Sequence, residues 1–233
     1  MIDFHSHIIP GIDDGSRSVE MSLQMLKALG KQKIDTVIAT SHFYATERSP
    51  QRFLYRRQEA WERLKAELPD DSPEILLGAE VLYFPGISRM AELPQLCTEG
   101  TNILLLEMPF ERWTERMVRE VKELAGSGDY TILLAHIERY YFKQPKGVWD
   151  DFLNMDILMQ SNADFFLPFR TKRRALKLLK EGRIHLLGSD AHNRTERAPR
   201  MDQAVSMIEK HLGREVIQQM DRLGRSLLQE GGI

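Results

Sequence analysis

The chain has 233 residues, of which 42% are hydrophobic and 28% are charged, a composition typical of globular proteins and not of disordered or fibrous ones. Its formal net charge of -2 provides no overall positive field that would attract nucleic acid or an anionic membrane. The single cysteine, Cys97, excludes a disulfide within the chain and suits a reducing cytosol. Because the opening residues lack a basic leader and no stretch approaches the ~18 apolar residues of a membrane span, we expect a cytoplasmic protein.

Short apolar runs alternate with amphipathic segments along the whole chain. The runs predict seven strands, at 1–4, 36–40, 74–77, 102–107, 130–135, 157–160 and 184–188. Capping residues and apolar periodicity predict helices at 18–30, 50–68, 114–127, 148–155, 171–181, 201–212 and 214–229. The strands are apolar nearly throughout, which is typical of parallel strands covered on both faces. This alternation predicts one α/β domain, residues 1–233, with a parallel sheet that is either open or closed into a barrel.

Histidines and acids are found where the predicted strands end. His5 and His7 follow the first strand, and residues two apart in an extended segment point to the same side. The other candidates lie after strands or on a tight turn, and they are Asp14, His42, Glu80, Glu107, His136, Asp190 and His192. In a parallel barrel the carboxyl ends of the strands share one rim, where active sites form. We therefore expect these nine side chains to converge.

The candidate ligands comprise imidazoles and carboxylates without a thiolate. This donor mixture suits manganese, iron or zinc and, less well, magnesium. Nine ligands exceed the needs of one ion, so we expect two or three ions, with Glu80 as a bridge. Closely spaced ions can clamp the attacking and leaving oxygens in phosphoester hydrolysis. Arg139 and Arg197, on the loops after strands five and seven, could hold a phosphate because a guanidinium matches its geometry and stays charged.

Ordinary structural roles compete with these functional interpretations. Asp14 could form a turn, and Glu107 could be a salt-bridge partner. Arg139 could pair with Glu138, and Arg197 could be a solvated loop arginine beside Glu196. Asp13 is expected to form the turn or to support a ligand.

A basic run at 170–174, extended by Lys177 and Lys180, follows an aromatic segment at 161–170. Such a run is commonly a solvated helix face. Because it follows strand six, it could instead border the rim and attract an acidic or phosphorylated tail.

Six motifs together resemble those of a known family. They are His5-Ser-His7, Pro10-Gly-Ile-Asp-Asp-Gly15, Thr40-Ser-His42, Gly78-Ala-Glu80, Ala135-His-Ile-Glu-Arg-Tyr140 and Ser189-Asp-Ala-His-Asn193. Their order and spacing are similar to those of the metal-dependent bacterial protein-tyrosine phosphatases of the polymerase-and-histidinol-phosphatase (PHP) superfamily, which are associated with capsule and exopolysaccharide gene clusters. The resemblance extends from Met1 to about Met201.

The resemblance implies a distorted seven-stranded (β/α) barrel that holds three metal ions. The implied ligands of the first ion are His5, His7, Glu80 and Asp190. Those of the second are Glu80, Glu107 and His136, and those of the third are Asp14, His42 and His192. Arg139 and Arg197 match the phosphate-binding arginines of the family. The implied substrate is phosphotyrosine on the tyrosine-rich tail of a bacterial tyrosine kinase that controls polysaccharide export.

The main hypothesis is therefore a PHP-type phosphatase acting on phosphotyrosine, with a metal-bridged hydroxide as nucleophile and manganese as the preferred ion. One alternative is a phosphatase for a small metabolite such as histidinol phosphate. A second is a phosphodiesterase or exonuclease, against which the near-neutral charge argues, so no nucleic-acid partner is expected. The third is a non-catalytic phosphotyrosine-binding protein, against which the complete ligand set argues. The sequence is compatible with an oligomer.

Overall fold

The computed structural model describes residues 1–230 and has an α/β fold. Its strands are β1 (Ile2–Ser6), β2 (Thr36–Ala39), β3 (His42–Phe43), β4 (Glu74–Leu77), β5 (Glu80–Leu82), β6 (Ile103–Glu107), β7 (Thr131–Leu134), β8 (Leu158–Asn162) and β9 (Leu186–Gly188). Its α-helices are α1 (Val19–Lys31), α2 (Pro50–Lys65), α3 (Glu115–Gly126), α4 (Lys146–Leu153), α5 (Phe169–Lys180), α6 (Met201–Leu212) and α7 (Arg214–Glu230). Short 3-10 turns occupy much of the remaining connections.

All the strand pairs are parallel, and the sheet curls back on itself. One set of strands is ordered β4, β2, β1, and the other is ordered β3, β5, β6, β7, β8, β9. The two sets are continuous in the chain, because β3 follows β2 and β5 follows β4 after a break of two residues. The first strand also meets the end of the last: His7 N donates to Ala191 O at 2.9 Å, and Asp190 N donates to His5 O at 2.7 Å. The predicted α/β class with a parallel sheet is confirmed.

The strand count differs from the prediction. Residues 1–230 contain nine strand segments rather than seven, since the predicted strands at 36–40 and 74–77 are each followed by a further short strand. Strands as short as β3 and β5 carry no apolar alternation by which a sequence pattern could reveal them. Backbone pairing continues through both breaks, because Thr40 N bonds to Ser6 O at 2.8 Å and Gly78 N bonds to Ala39 O at 2.9 Å.

Two apolar clusters lie on opposite sides of the sheet. Ile103 and Leu105 belong to the inner cluster, while Leu104 and Leu106 belong to the larger cluster beneath the helices. Successive side chains of a strand point to opposite faces, so a strand covered on both faces must be apolar throughout, as the sequence indicates. Leucines of α7 pack against the inner cluster, namely Leu223, Leu227 and Leu228.

Helix α7 closes the end of the sheet at which the strands begin. A Cβ atom at Gly224 would lie only 2.7 Å from the Phe4 ring, so the helix sits against the sheet without room for a side chain there. Arg225 Nη2 lies 2.7 Å from Asp35 Oδ2, and the Met1 amino group lies 2.6 Å from the same oxygen. Among the helices of residues 1–230, none has the length and apolar character needed to cross a membrane.

Candidate metal centre

The structure brings all nine predicted ligand residues together at the carboxyl ends of the strands, here called the rim. Their potential ligand atoms fall into overlapping groups in which every atom lies within 4.8 Å of the others. The groups are His7, Asp14, His42 and His192; His5, His7 and Asp190; His5, Glu80 and His136; and His42, Glu80 and Glu107. The strand β1 changes register between Asp3 and Ser6, and an irregularity of this kind re-aims side chains.

Glu80 lies at the middle of the cluster and is completely buried. Its Oε2 atom is 2.8 Å from His42 Nδ1, 3.2 Å from His5 Nε2 and 3.4 Å from His7 Nε2. Its Oε1 atom is 2.7 Å from His136 Nε2. This arrangement, in which four imidazoles surround one carboxylate, suits a carboxylate that bridges two metal ions.

Within residues 1–230, the centre contains buried polar atoms that lack a hydrogen bond. Glu80 Oε2 has no well-directed hydrogen-bond partner among the described residues, and the same holds for His42 Nδ1 and His192 Nε2. Burying such atoms without a partner is costly. Cations between these atoms would remove that cost, so the donor set fits a metal cluster.

One group faces solvent. Asp14 Oδ1 lies 3.3 Å from Nε2 of His42 and 3.3 Å from Nε2 of His192, and the Asp14 side chain is 64% exposed. The ring of His192 packs on that of His7, with 3.8 Å between centroids. This side of the cluster is therefore where a substrate can approach from outside.

Polar residues beyond the nine hold the ligands in place. Asp13 Oδ2 accepts hydrogen bonds from His7 Nδ1 at 2.9 Å and from His42 N at 3.0 Å, which identifies its supporting role. Gln160 Oε1 accepts from His136 N at 2.7 Å and contacts His5 Nδ1 at 3.2 Å. No sequence motif marked Gln160, although a glutamine at the carboxyl end of an otherwise apolar strand is a usable signal.

The backbone is strained or tightly packed at several ligands. His136 and Asp190 have φ angles of 29° and 50°, in the left-handed region that costs a non-glycine residue about 1–3 kcal/mol. A Cβ atom at Gly15 would lie 2.4 Å from His7 Cβ, and one at Gly188 would lie 2.5 Å from His5 Cβ. These two glycines are required because the ligand histidines pack directly against their backbone.

Both predicted arginines form ion pairs with Asp190. Arg139 Nη2 is 2.6 Å from Asp190 Oδ2, and Arg197 Nη2 is 2.8 Å from Asp190 Oδ1. The two arginine side chains are 36% and 38% exposed, so solvent reaches them. Arg139 does not pair with Glu138, whose carboxylate instead accepts from Ser161 Oγ at 3.1 Å and Asn162 N at 3.2 Å. The guanidinium groups thus lie beside the cluster and within reach of solvent.

The buried acids and bases shift one another's pKa. Burial raises the pKa of Glu80, but the charge of His5 and the hydrogen bond from His136 outweigh it and bring that pKa well below its usual range. Burial lowers the pKa of His136, but hydrogen bonds to Glu107 and Glu80 outweigh it and raise that pKa to about 9. Burial, together with the charge of His7, lowers the pKa of His192 to about 4. These shifts favour a protonated His136 beside an ionised Glu80, and a cation bound there would replace that proton.

The one cysteine is not placed for catalysis. Cys97 is buried, and burial raises the pKa of its thiol to about 12. A thiol must ionise to act as a nucleophile, so Cys97 has the properties of a packed core residue.

The chain matches the family model of capsular polysaccharide synthesis proteins CpsB/CapC over residues 1–223. It belongs to the CpsB/CapC family. It is 30% identical over 236 residues to the tyrosine-protein phosphatase YwqE of Bacillus subtilis, with 93% of this chain and 87% of YwqE covered. It is 27% identical over 231 residues to the tyrosine-protein phosphatase CpsB of Streptococcus agalactiae, with 94% of each chain covered.

Solved structures extend the family relationship to three dimensions. One of them, from the pair YwqE of Bacillus subtilis and CpsB of Streptococcus pneumoniae, aligns with a TM-score of 0.85 and 25% identity over 100% of this chain and 96% of that chain. That pair is described as unique metal-dependent tyrosine phosphatases. An amidohydrolase aligns with a TM-score of 0.57 at 11% identity, over 100% of this chain and 75% of that chain, which indicates a shared fold alone.

Proposed function

We propose that this CpsB/CapC family member is a metal-dependent protein-tyrosine phosphatase. The observation that carries the proposal is the buried carboxylate of Glu80 among four imidazoles, with Arg139 and Arg197 beside it. Relatives that share most of the chain are tyrosine-protein phosphatases, which supports phosphotyrosine as the substrate.

We infer that the nine strand segments correspond to the seven strands of a distorted (β/α) barrel of the PHP type. The count is seven if β2 and β3 are treated as one interrupted strand, and β4 and β5 as another. The inference also treats the chain, residues 1–233, as a single catalytic domain.

Two or three divalent ions are proposed for the centre. His5, His7, Glu80 and Asp190 would hold the first, Glu80, Glu107 and His136 the second, and Asp14, His42 and His192 the third. Manganese is the preferred ion, with iron, zinc and magnesium as alternatives, because the donors are nitrogen and oxygen without a thiolate. Such ions, when bound, lower the pKa of water and neutralise charge on phosphoryl oxygens.

The protein's own groups bind and orient the substrate. Arg139 and Arg197 would hold the equatorial oxygens of the phosphoryl group, where charge is greatest in the transition state. Asp13 keeps the Nε2 atom of His7 directed at the cluster, since it accepts from Nδ1. The leaving phenolate has a pKa of about 10, so it needs less protonation than an alkoxide.

The proposed partner is the phosphorylated tail of a bacterial tyrosine kinase that controls capsule or exopolysaccharide export. The family's place in capsular polysaccharide synthesis supports this partner. It also supports a cytoplasmic location, where such a kinase tail would be exposed.

A substrate panel tests the proposal. p-Nitrophenyl phosphate, a phosphotyrosyl peptide, histidinol phosphate and single-stranded DNA are assayed with manganese and with a chelator. Preference for the peptide that disappears with chelator is expected. Preference for histidinol phosphate would replace the proposal with a small-molecule phosphatase, and tight peptide binding without any turnover would replace it with a binding protein.

A further inference from the structure

The exposed face of helix α5 carries several arginines. Ala175, Leu178 and Leu179 are its buried residues, so Arg170, Arg173 and Arg174 fall on the opposite face, where all three are exposed. Residues three and four apart are neighbours on a helix surface, which makes these arginines one cluster.

Within the part of the chain that the structure describes, these arginines lack acidic partners. Among the described side chains, no carboxylate lies within 4.0 Å of any of the three arginines, whereas Lys177, further along the same helix, lies 3.8 Å from Glu181. Like charges placed side by side repel one another. A solvated face that served solubility alone would mix both signs, as the far end of α5 does.

Exposed aromatic rings lie within the same cluster. Phe169, which begins α5, is 83% exposed, and Phe142 is 54% exposed. The guanidinium of Arg174 lies 5.2 Å from the centroid of the Phe142 ring, a cation–π contact that holds this arginine in place. We call Phe142, Phe169, Arg170, Arg173 and Arg174 the basic–aromatic strip.

The strip begins next to the metal centre. Phe142 follows Arg139 by three residues, which span at most about 11 Å, and Arg139 contacts Asp190 at 2.6 Å. Arg139 also lies over the ring of Phe110, with its guanidinium 5.5 Å from the centroid. Aromatic and guanidinium groups therefore continue outward from the centre to α5. An extended peptide advances about 3.3 Å per residue, so the strip would meet residues roughly three to six positions from a phosphotyrosine in the centre.

We propose that the basic–aromatic strip binds an acidic peptide segment that flanks the phosphotyrosine, and that it thereby sets substrate preference. The inference rests on the proposed phosphatase activity and adds a peptide subsite to it. The arginines would pair with carboxylates of the segment, while Phe169 would contact its apolar side chains. Phe142 is a positioning residue, because it acts through Arg174.

The test compares two phosphotyrosyl peptides, one with glutamates three to six residues on either side of the phosphotyrosine and one with glutamines there. For the native protein, kcat/KM for the glutamate peptide should exceed that for the glutamine peptide about tenfold, chiefly through KM, and raising the salt concentration should reduce the difference. The Arg170→Gln/Arg174→Gln variant should lose this preference, with p-nitrophenyl phosphate turnover unchanged within about twofold.

Matched controls separate the strip from general charge. Lys177→Gln/Lys180→Gln removes the same charge from the far end of α5, about 10–15 Å from Arg170 along the axis, and should keep the peptide preference. Phe142→Ala should reduce the preference for the glutamate peptide about threefold. Arg174→Gln should then reduce the preference less in the Phe142→Ala protein than it does in the native protein.

The outcomes distinguish this inference from the phosphatase proposal. Turnover of p-nitrophenyl phosphate with equal kcat/KM for both peptides would reject the strip and leave the phosphatase standing. Absence of all turnover would reject the phosphatase. In that case, binding of the unphosphorylated glutamate peptide is measured by fluorescence anisotropy. The peptide-binding role of the strip is supported only if Arg170→Gln/Arg174→Gln weakens this binding. If that variant instead abolished binding to vesicles containing phosphatidylserine and left both peptides unaffected, the strip would be a membrane contact and the inference wrong.

Discussion

The two ends of the curled sheet are built from the same strands but are opposite in character. Strand β1 contributes Ile2 and Phe4 to the apolar inner cluster near α7, while His5, directly after Phe4, and His7, just beyond the strand, lie at the rim. At the α7 end, close apolar contact is reinforced by ion pairs at the surface. At the rim, buried charges and left-handed backbone are held together by mutual hydrogen bonds.

This difference shows how the fold can accommodate an unfavourable site. Burial of apolar area near α7 stabilises the sheet, while desolvated charge and strain at the rim oppose folding. Substitutions at the rim should therefore affect ions and turnover, and substitutions near α7 should affect stability.

The largest expected effect is at the middle of the rim. Glu80→Gln removes the charge of the proposed bridging ligand, and turnover of p-nitrophenyl phosphate should fall at least about a thousandfold, with fewer ions bound per chain. The control is Glu74→Gln, at the exposed beginning of the neighbouring β4, which should remain active. Normal turnover by Glu80→Gln would exclude the carboxylate as a bridge.

The next effect concerns phosphate binding. Arg139→Ala should reduce kcat about a hundredfold, as the loss of one donor to developing charge commonly does, while the ion content measured by mass spectrometry stays unchanged. Arg194→Ala is the matched control, since Arg194 is an exposed arginine on the loop of Arg197 that bonds to Gln24. Unchanged kcat in Arg139→Ala would rule out its role as a phosphate ligand.

A residue that supports a ligand should have a smaller effect. Asp13→Asn weakens the hydrogen bond that orients His7, and ion affinity should fall about 10- to 100-fold. Isothermal titration calorimetry with manganese measures it, and Asp70→Asn, in an exposed turn, is the control. Equal affinity in Asp13→Asn and the native protein would limit Asp13 to shaping the turn.

Protons should compete with ions at the rim. The pKa of His136 is about 9 in the ion-free protein, because hydrogen bonds to Glu107 and Glu80 outweigh the opposing effect of burial. An ion must displace that proton, so ion affinity should rise about tenfold per pH unit between pH 6 and 8 for each proton released. A flat affinity over this range would mean that the imidazole does not bind the ion.

The smallest effect on activity is expected near α7. Gly224→Ala places a methyl group 2.7 Å from the Phe4 ring and should lower the free energy of unfolding by about 1–3 kcal/mol in urea titrations. Turnover per folded molecule should be unchanged. At Gly147, a new Cβ would meet no described atom within 4 Å beyond its chain neighbours and the backbone of its own helix, so Gly147→Ala should leave stability equal or higher. Loss of ions in Gly224→Ala would show that the two ends are coupled.

The sequence was most informative where its local pattern has one interpretation. Leu104, Leu105 and Leu106 indicate a strand buried on both faces, and Ser18, Ser49 and Thr114 mark helix starts, where their side chains do cap α1, α2 and α3. The predicted ligands could be selected because strand ends in parallel folds share one rim.

Other features depend on tertiary contacts that no local pattern records. The strands β3 and β5 exist because neighbouring segments pair with them, and two or three residues carry no periodicity. Gln160 acquires its role from His5 and His136, which lie far from it in the chain. The contacts of Arg139 and Arg197 with Asp190, rather than with their neighbouring glutamates, likewise follow from the curl of the sheet.

The central claim is that distant histidines and acids bind adjacent divalent ions. Electron paramagnetic resonance of the manganese-loaded protein, with the ion content of the same sample determined, tests it most directly. Two or three ions per chain with an exchange-coupled spectrum are predicted, because Glu80 would place ions within bridging distance. A protein that retains no ion, or one that shows only the hyperfine signal of isolated manganese, would contradict it.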